Sequence, residues 1–229
     1  MKNTKMWQRS TGKRSGDHLM AVLEYIQNNR LDILIQIRDH LLISLLALLI
    51  AGVIGILCGY AASRSPKSEK WISGPFQVLR VIPSLAILVL LIPVMGTGVK
   101  PAVTALTILA VPPVLLNTIV GFRSSPSFLV ECAEGIGMTP EQILWKVRVP
   151  QAMPMILAGL RTALIEVIAS ATLAAKIGAG GLGEIIFTGL GLNRADLLLI
   201  GGVSVALLSL LCGFIFDRIG RCIMPYKYV

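Results

Sequence analysis

Leu41-Leu-Ile-Ser-Leu-Leu-Ala47-Leu-Leu-Ile-Ala51-Gly-Val-Ile-Gly55-Ile-Leu-Cys-Gly59 carries no charge and almost no polar group over nineteen residues. About twenty predominantly apolar residues are needed for a helix to cross a bilayer, and this run, extended to 40–62, reaches that length. Four further stretches do the same, at 74–96, 101–122, 153–176 and 196–217. In lipid every backbone polar group must find an internal partner, which leaves helices or closed barrels. The apolar runs are continuous rather than alternating, so the reading is an all-α integral membrane protein with five transmembrane helices. Composition agrees: 55% of the 229 residues are hydrophobic and 14% charged, against about 25% charged in a soluble domain.

Within the first span, Ala47, Ala51, Gly55 and Gly59 recur every fourth residue. Small residues at that spacing let a second helix approach closely, so this face is expected to be a packing seam. Pro83 and Pro93 fall in the second span, Pro112 and Pro113 in the third. Proline removes a helical hydrogen bond, so these two spans are expected to be kinked or interrupted.

Residues 1–39 form an N-terminal tail and amphipathic segment. Leu19, Val22, Leu23, Ile26, Ile33 and Ile37 follow helical spacing, which suits either a helix lying in the membrane interface or a solvated lead-in to the first span. Residues 40–217 are the transmembrane domain, with a loop at 123–152, and 218–229 a cytoplasmic tail. The net charge of +9 is that of a basic membrane protein whose Lys and Arg face anionic lipid. No aromatic residues interleave with the charge as single-strand binding requires, so nucleic acid is not an expected partner. Arg64, Lys67 and Lys70, then Arg123, Lys146 and Arg148, then Arg218, Arg221 and Lys227 place three segments on the cytoplasmic side. The N-terminus then lies outside, against the pull of Lys2, Lys5, Arg9, Lys13 and Arg14. The first apolar run begins too late for a cleavable signal peptide.

Chemistry that the chain is not expected to perform narrows the class. Cys58, Cys132, Cys212 and Cys222 form no CxxC pair. His18 and His40 stand apart from any carboxylate cluster, so no metal site is expected. The run Gly178-Ala-Gly-Gly-Leu-Gly183 matches a dinucleotide fingerprint only formally, because no strand precedes it. It is read as a tight extracytoplasmic turn. No P-loop sequence is present and no catalytic or cofactor-binding constellation stands out, so energy must come from a partner chain.

The loop at 123–152 is the informative segment: Glu131-Cys-Ala-Glu-Gly-Ile-Gly137-Met-Thr-Pro-Glu-Gln-Ile-Leu-Trp-Lys-Val147-Arg-Val149-Pro150. Gly137 is expected to end a short helix. Thr139 caps the next, with Pro140 at its first position and Gln142 at its third, and Pro150 is expected to stop that helix before the fourth span. Ile143, Leu144, Trp145 and Val147 make the segment too apolar for a free loop, and docking onto another protein explains its mixed character.

This spacing resembles the E-A-A-x3-G loop of ABC importer permeases, with Cys132 in place of the middle alanine and Val147 and Val149 in place of Ile and Leu. The resemblance implies the type I importer (MetI-like) permease arrangement, with this loop as the cytoplasmic coupling helix. Glu131, Ala133, Glu134, Gly137, Val147, Val149 and Pro150 would then couple the spans to a separate cytoplasmic ATP-binding cassette ATPase. Arg80 to Ala86 with Ile92-Pro93, Pro112 to Thr118, and Gly159 to Ala163 with Ala174 to Gly183 resemble osmoprotectant importer permeases, which handle glycine betaine, carnitine and choline. The resemblance also implies an extracytoplasmic substrate-binding protein and a second permease subunit, identical or paralogous, in a bacterial cell membrane.

Glu166 stands mid-span, where a carboxylate is costly. It either points inward, paired or protonated, or lines a path for a cationic substrate. Arg161, five residues earlier, does not share its helix face; it stands with Asn117 and Glu166 as a candidate for the translocation path. Asn117 is read as an interhelical hydrogen-bonding residue or a pore-lining one. Lys176 is expected to snorkel to the outer interface. With 6% aromatics and no cluster of them in the spans, a cation–π cage is expected on the separate binding protein. The alternatives are a permease for another small solute such as an amino acid, a membrane enzyme or scaffold, and a passive channel.

Overall fold

A computed structural model describes residues 25–223. Nine α-helices are assigned there: α1 Arg30–Ser63, α2 Pro66–Leu79, α3 Ser84–Met95, α4 Val99–Arg123, α5 Ser127–Gly135, α6 Pro140–Ile143, α7 Val149–Ala174, α8 Gly183–Gly191 and α9 Ala195–Ile223. No strand occurs among the described residues. Four helical runs are long and apolar enough to cross a membrane: α1, α4, Pro140–Ile177 and α9. The fifth is the pair α2 and α3, bent by 93° at its break.

The two proline-bearing spans behave differently. Pro83 breaks the second, because a proline drives the preceding residue out of the α region, and the chain turns through Arg80 to Ile82 before α3 begins. α4 instead runs unbroken through Pro112 and Pro113, so this span is not interrupted. The reason is its position. α4 is the central helix, packed most extensively against α1 on one side and α7 on the other, with Pro112 and Pro113 both buried. Neighbouring helices make a proline tolerable inside a span when they enclose it, because they can satisfy the backbone groups it frees.

The small-residue seam of α1 is where α4 comes close. Ala47 and Ala51 are fully buried. A Cβ on Gly55 would lie 2.7 Å from Val114 Cβ, and one on Gly59 would lie 2.6 Å from Thr118 Cβ. Only hydrogen fits at either position.

α1 is continuous from Arg30 to Ser63, about 51 Å at 1.5 Å per residue, so it outreaches the roughly 30 Å hydrocarbon core. It crosses residues 39 and 40 without a break. The amphipathic stretch ahead of the first span lies partly outside the described residues. Where it is described, Ile33 and Ile37 belong to α1 and pack, with Tyr25, on Leu182, Ile185, Leu197 and Ile200. That docks the apolar face against α8 and α9.

At the same end of the bundle, Gly178, Gly180 and Gly181 all take positive φ, forming the tight turn that joins α7 to α8. The Gly98 amide donates to the Ile177 carbonyl at 2.7 Å, which ties the start of α4 to this turn. His40 is buried beneath Gly181, with Nε2 2.9 Å from the Ile168 carbonyl oxygen. At the opposite end, an ion pair between Arg123 and Glu69 joins α4 to α2. Tyr60 and Phe122 stack there at 5.0 Å between ring centroids.

Candidate coupling loop and translocation cavities

The segment after α4 is built from local signals. α5 ends in a Schellman arrangement: the Gly137 amide donates to the Glu134 carbonyl at 2.9 Å and the Met138 amide to the Ala133 carbonyl at 3.0 Å. That motif needs a left-handed residue, and Gly137 supplies it at φ +80°. Thr139 then caps α6 in a reciprocal box. Its amide donates to Gln142 Oε1 at 3.0 Å, and the Gln142 amide donates to Thr139 Oγ1 at 3.4 Å.

Pro150 does not stop the helix that starts at Pro140, contrary to expectation. Leu144–Arg148 form a π turn that leads straight into α7. The Val149 amide donates to the Leu144 carbonyl, five residues back. A wider turn relieves the clash of a proline ring with the carbonyl four residues earlier. One helical run of 38 residues, Pro140–Ile177, therefore links the loop to the span.

Ala133 and Ile143 are buried within the loop, and α5 packs on α6 and the π turn. Glu131, Glu134 and Gly137 are exposed, while Val147, Val149 and Pro150 are half-buried at the root of α7. Phe128 (59% exposed), Ile136 (75%) and Trp145 (64%) leave the loop with uncovered apolar surface. Between the loop and the span ends lies a cleft of about 730 Å³ whose lining includes Tyr60, Arg64, Phe122, Glu134, Glu141 and Arg148.

The residues singled out inside the spans are not brought together. Asn117 donates from Nδ2 to the Pro113 carbonyl of its own helix at 2.8 Å, so its hydrogen bond stays within α4. Its Cβ fills the space over Gly159 of α7. Arg161 faces α9, where Nε pairs with Asp217 Oδ1 at 2.8 Å, beside a cavity of about 500 Å³ lined with Leu207, Leu210 and Phe214. Glu166 lies elsewhere, in a cavity of about 240 Å³ with Ser170, Leu109, Pro112 and the whole break between α2 and α3, Arg80 to Ser84. Lys176 places Nζ 4.6 Å from the centre of the Phe187 ring.

Arg80 and Asp217 were not singled out from sequence. Each carries a signal in hindsight, being a charge inside an apolar stretch, 74–96 or 196–217. Asp217 pairs with Arg161, far away in the chain, and Arg80 shares a cavity with the equally distant Glu166. Among the described residues, no three His, Cys, Asp or Glu side chains converge, and the four cysteines are free.

Comparison with known proteins agrees with this geometry. Residues 51–225 match the family described as binding-protein-dependent transport system inner membrane component. The carnitine transport permease protein OpuCB of Listeria monocytogenes is 40% identical over 205 residues, covering 90% of this chain and 94% of that protein. The choline transport system permease protein OpuBB of Bacillus subtilis is 36% identical over 204 residues, covering 89% and 94%. Among solved structures, an inward-facing MetNI methionine ABC transporter superimposes with a TM-score of 0.73 at 26% identity, over 83% of this chain and 95% of that one.

Proposed function

The chain belongs to the family of binding-protein-dependent transport system inner membrane components, and on that premise we propose that it imports quaternary-amine osmoprotectants. It is a multi-pass membrane protein and a permease subunit, not itself an enzyme. The proposed substrates are glycine betaine, carnitine and choline, the solutes named in the relatives it resembles over nearly its full length. The proposed partners are a cytoplasmic ATP-binding cassette ATPase, an extracytoplasmic substrate-binding protein and a second permease subunit.

The observation that carries the coupling role is the single run Pro140–Ile177. The exposed apolar face of the loop, with Ile136 and Trp145, docks on the ATPase. Because the π turn joins that face to α7 without a flexible joint, closure of an ATPase dimer moves the span as a rigid body. Glu131, Ala133, Glu134 and Gly137 shape the docking face, and Val147, Val149 and Pro150 form its root. The loop end of the bundle is then cytoplasmic and the glycine turn extracytoplasmic. Arg161 ties α7 to α9 through Asp217, Asn117 packs over Gly159, and Glu166 lines the path.

The test is uptake of labelled glycine betaine at high salt, in a host lacking its own betaine importers and given this chain with its neighbouring ATPase, binding-protein and permease genes. Loss of uptake on omitting this chain alone supports the role. Uptake of an amino acid but not of betaine, carnitine or choline would move the substrate class while leaving the permease standing.

A further inference from the structure

The cavity at the break between α2 and α3 brings an acid and a cation into one small, partly open space on the side of the bundle, with Arg80 exposed and Glu166 half-buried. Leu109 and Pro112 in its wall lie ten and thirteen residues into α4, whose 25 residues start at Val99. At 1.5 Å per residue that is about 15–20 Å from the end of the helix, close to mid-height. Glu166 and Ser170 of α7 form the facing wall, and Arg80 lies at the end of α2. Arg80 and Glu166 line the same cavity, yet no ion pair joins them among the described residues.

An acid and a base held apart at mid-membrane are each costly. A ligand with a positive pole and a negative pole, seated between them, relieves both. Two further features fit such a ligand. Ser84, the first residue of α3, lines the cavity on the Arg80 side, where the helix dipole adds partial positive charge. Pro112 and Pro113 withhold their amides from the carbonyls of Ile108 and Leu109, and Leu109 lines the cavity. The volume, about 240 Å³, falls below the roughly 300–1,000 Å³ of sites for drug-sized ligands, so a solute of few heavy atoms fits. Discontinuous helices near mid-membrane are a recurring way to build such transport sites.

We infer that this cavity is a transient site for a zwitterion, holding its ammonium pole at Glu166 and its carboxylate at Arg80. The inference rests on the import reading above and adds to it a preference within the solutes: betaines over simple cations such as choline.

Equilibrium binding of labelled glycine betaine and choline to the permease–ATPase complex in nanodiscs, without the binding protein, tests it. Arg80→Gln weakens glycine betaine at least tenfold and leaves choline within twofold. Glu166→Gln weakens both at least tenfold, and Arg80→Lys restores most of the betaine affinity. On the unaltered complex, glycine betaine outcompetes its carbon isostere, in which a tert-butyl group replaces the trimethylammonium, and this comparison decides the matter if a variant fails to assemble. Equal effects of Arg80→Gln on the two ligands, no effect on either, or equal binding of betaine and isostere would overturn the site. So would an unaltered complex that binds neither ligand. If that complex still takes up betaine with its binding protein present, the site fails and the import reading stands.

Discussion

Gly137 stands where the backbone, not lack of space, favours glycine. Its φ of +80° closes the Schellman turn, and no atom lies within 4 Å of where a Cβ would stand. A substitution there therefore meets open space, and its local cost is the left-handed backbone, about 1–2 kcal/mol. Gly137→Asp is expected to insert and assemble in the membrane but to lower ATP-driven uptake more than tenfold, read by transport normalised to membrane-inserted protein. Gly55 and Gly59 fail for the opposite reason, lack of space. Gly55→Val or Gly59→Val overpacks the α1–α4 seam at a cost of about 1–3 kcal/mol or more, seen as a lowered Tm of the detergent-solubilised protein. Gly74→Ala, with nothing within 4 Å, serves as the control and is expected to leave Tm nearly unchanged.

At the scale of elements, the joint between loop and span is the decisive feature. Inserting one alanine after Lys146 rotates the loop about 100° relative to α7 and lengthens the run by about 1.5 Å. The expected outcome is a complex that still contains its ATPase but transports nothing, with ATP hydrolysis no longer responsive to loaded binding protein. Responsive hydrolysis and normal transport in that variant would show that α6 and α7 do not move as one body. The loop itself was legible in the sequence because its caps are local: Gly137, Thr139, Pro140 and Gln142 determine where helices end and begin within a few residues. Pro150 misled for a physical reason. Whether a proline stops a helix depends on whether the preceding turn can widen, and a π turn is not written in the residue types. Pro83 and the pair Pro112 and Pro113 make the same point. All three withhold an amide, but only α4, enclosed between α1 and α7, runs on without a break.

For the whole molecule, the positions of the spans were readable because lipid demands long continuous apolar runs, and each expected span has a helix or a bent pair in its place. The pairing of distant charges was not readable. Arg161 pairs with Asp217, and Arg80 shares a cavity with Glu166, only through the order of helices around α4, which no local pattern encodes. The result of that arrangement is a bundle with a loop bearing exposed apolar side chains at one end, a tight glycine turn at the other, and a small charged cavity between.

Reconstitution into sealed proteoliposomes gives the sharpest measurement. The complex of this chain with its ATPase and any second permease is embedded, with the binding protein and labelled glycine betaine outside and ATP trapped inside. Accumulation of betaine above its outside concentration, abolished when internal ATP is replaced by a non-hydrolysable analogue or when this chain is omitted, is the expected result. Equilibration of betaine to equal concentrations regardless of ATP would contradict it and leave a passive channel, and no entry from a fully assembled complex would remove betaine from its substrates.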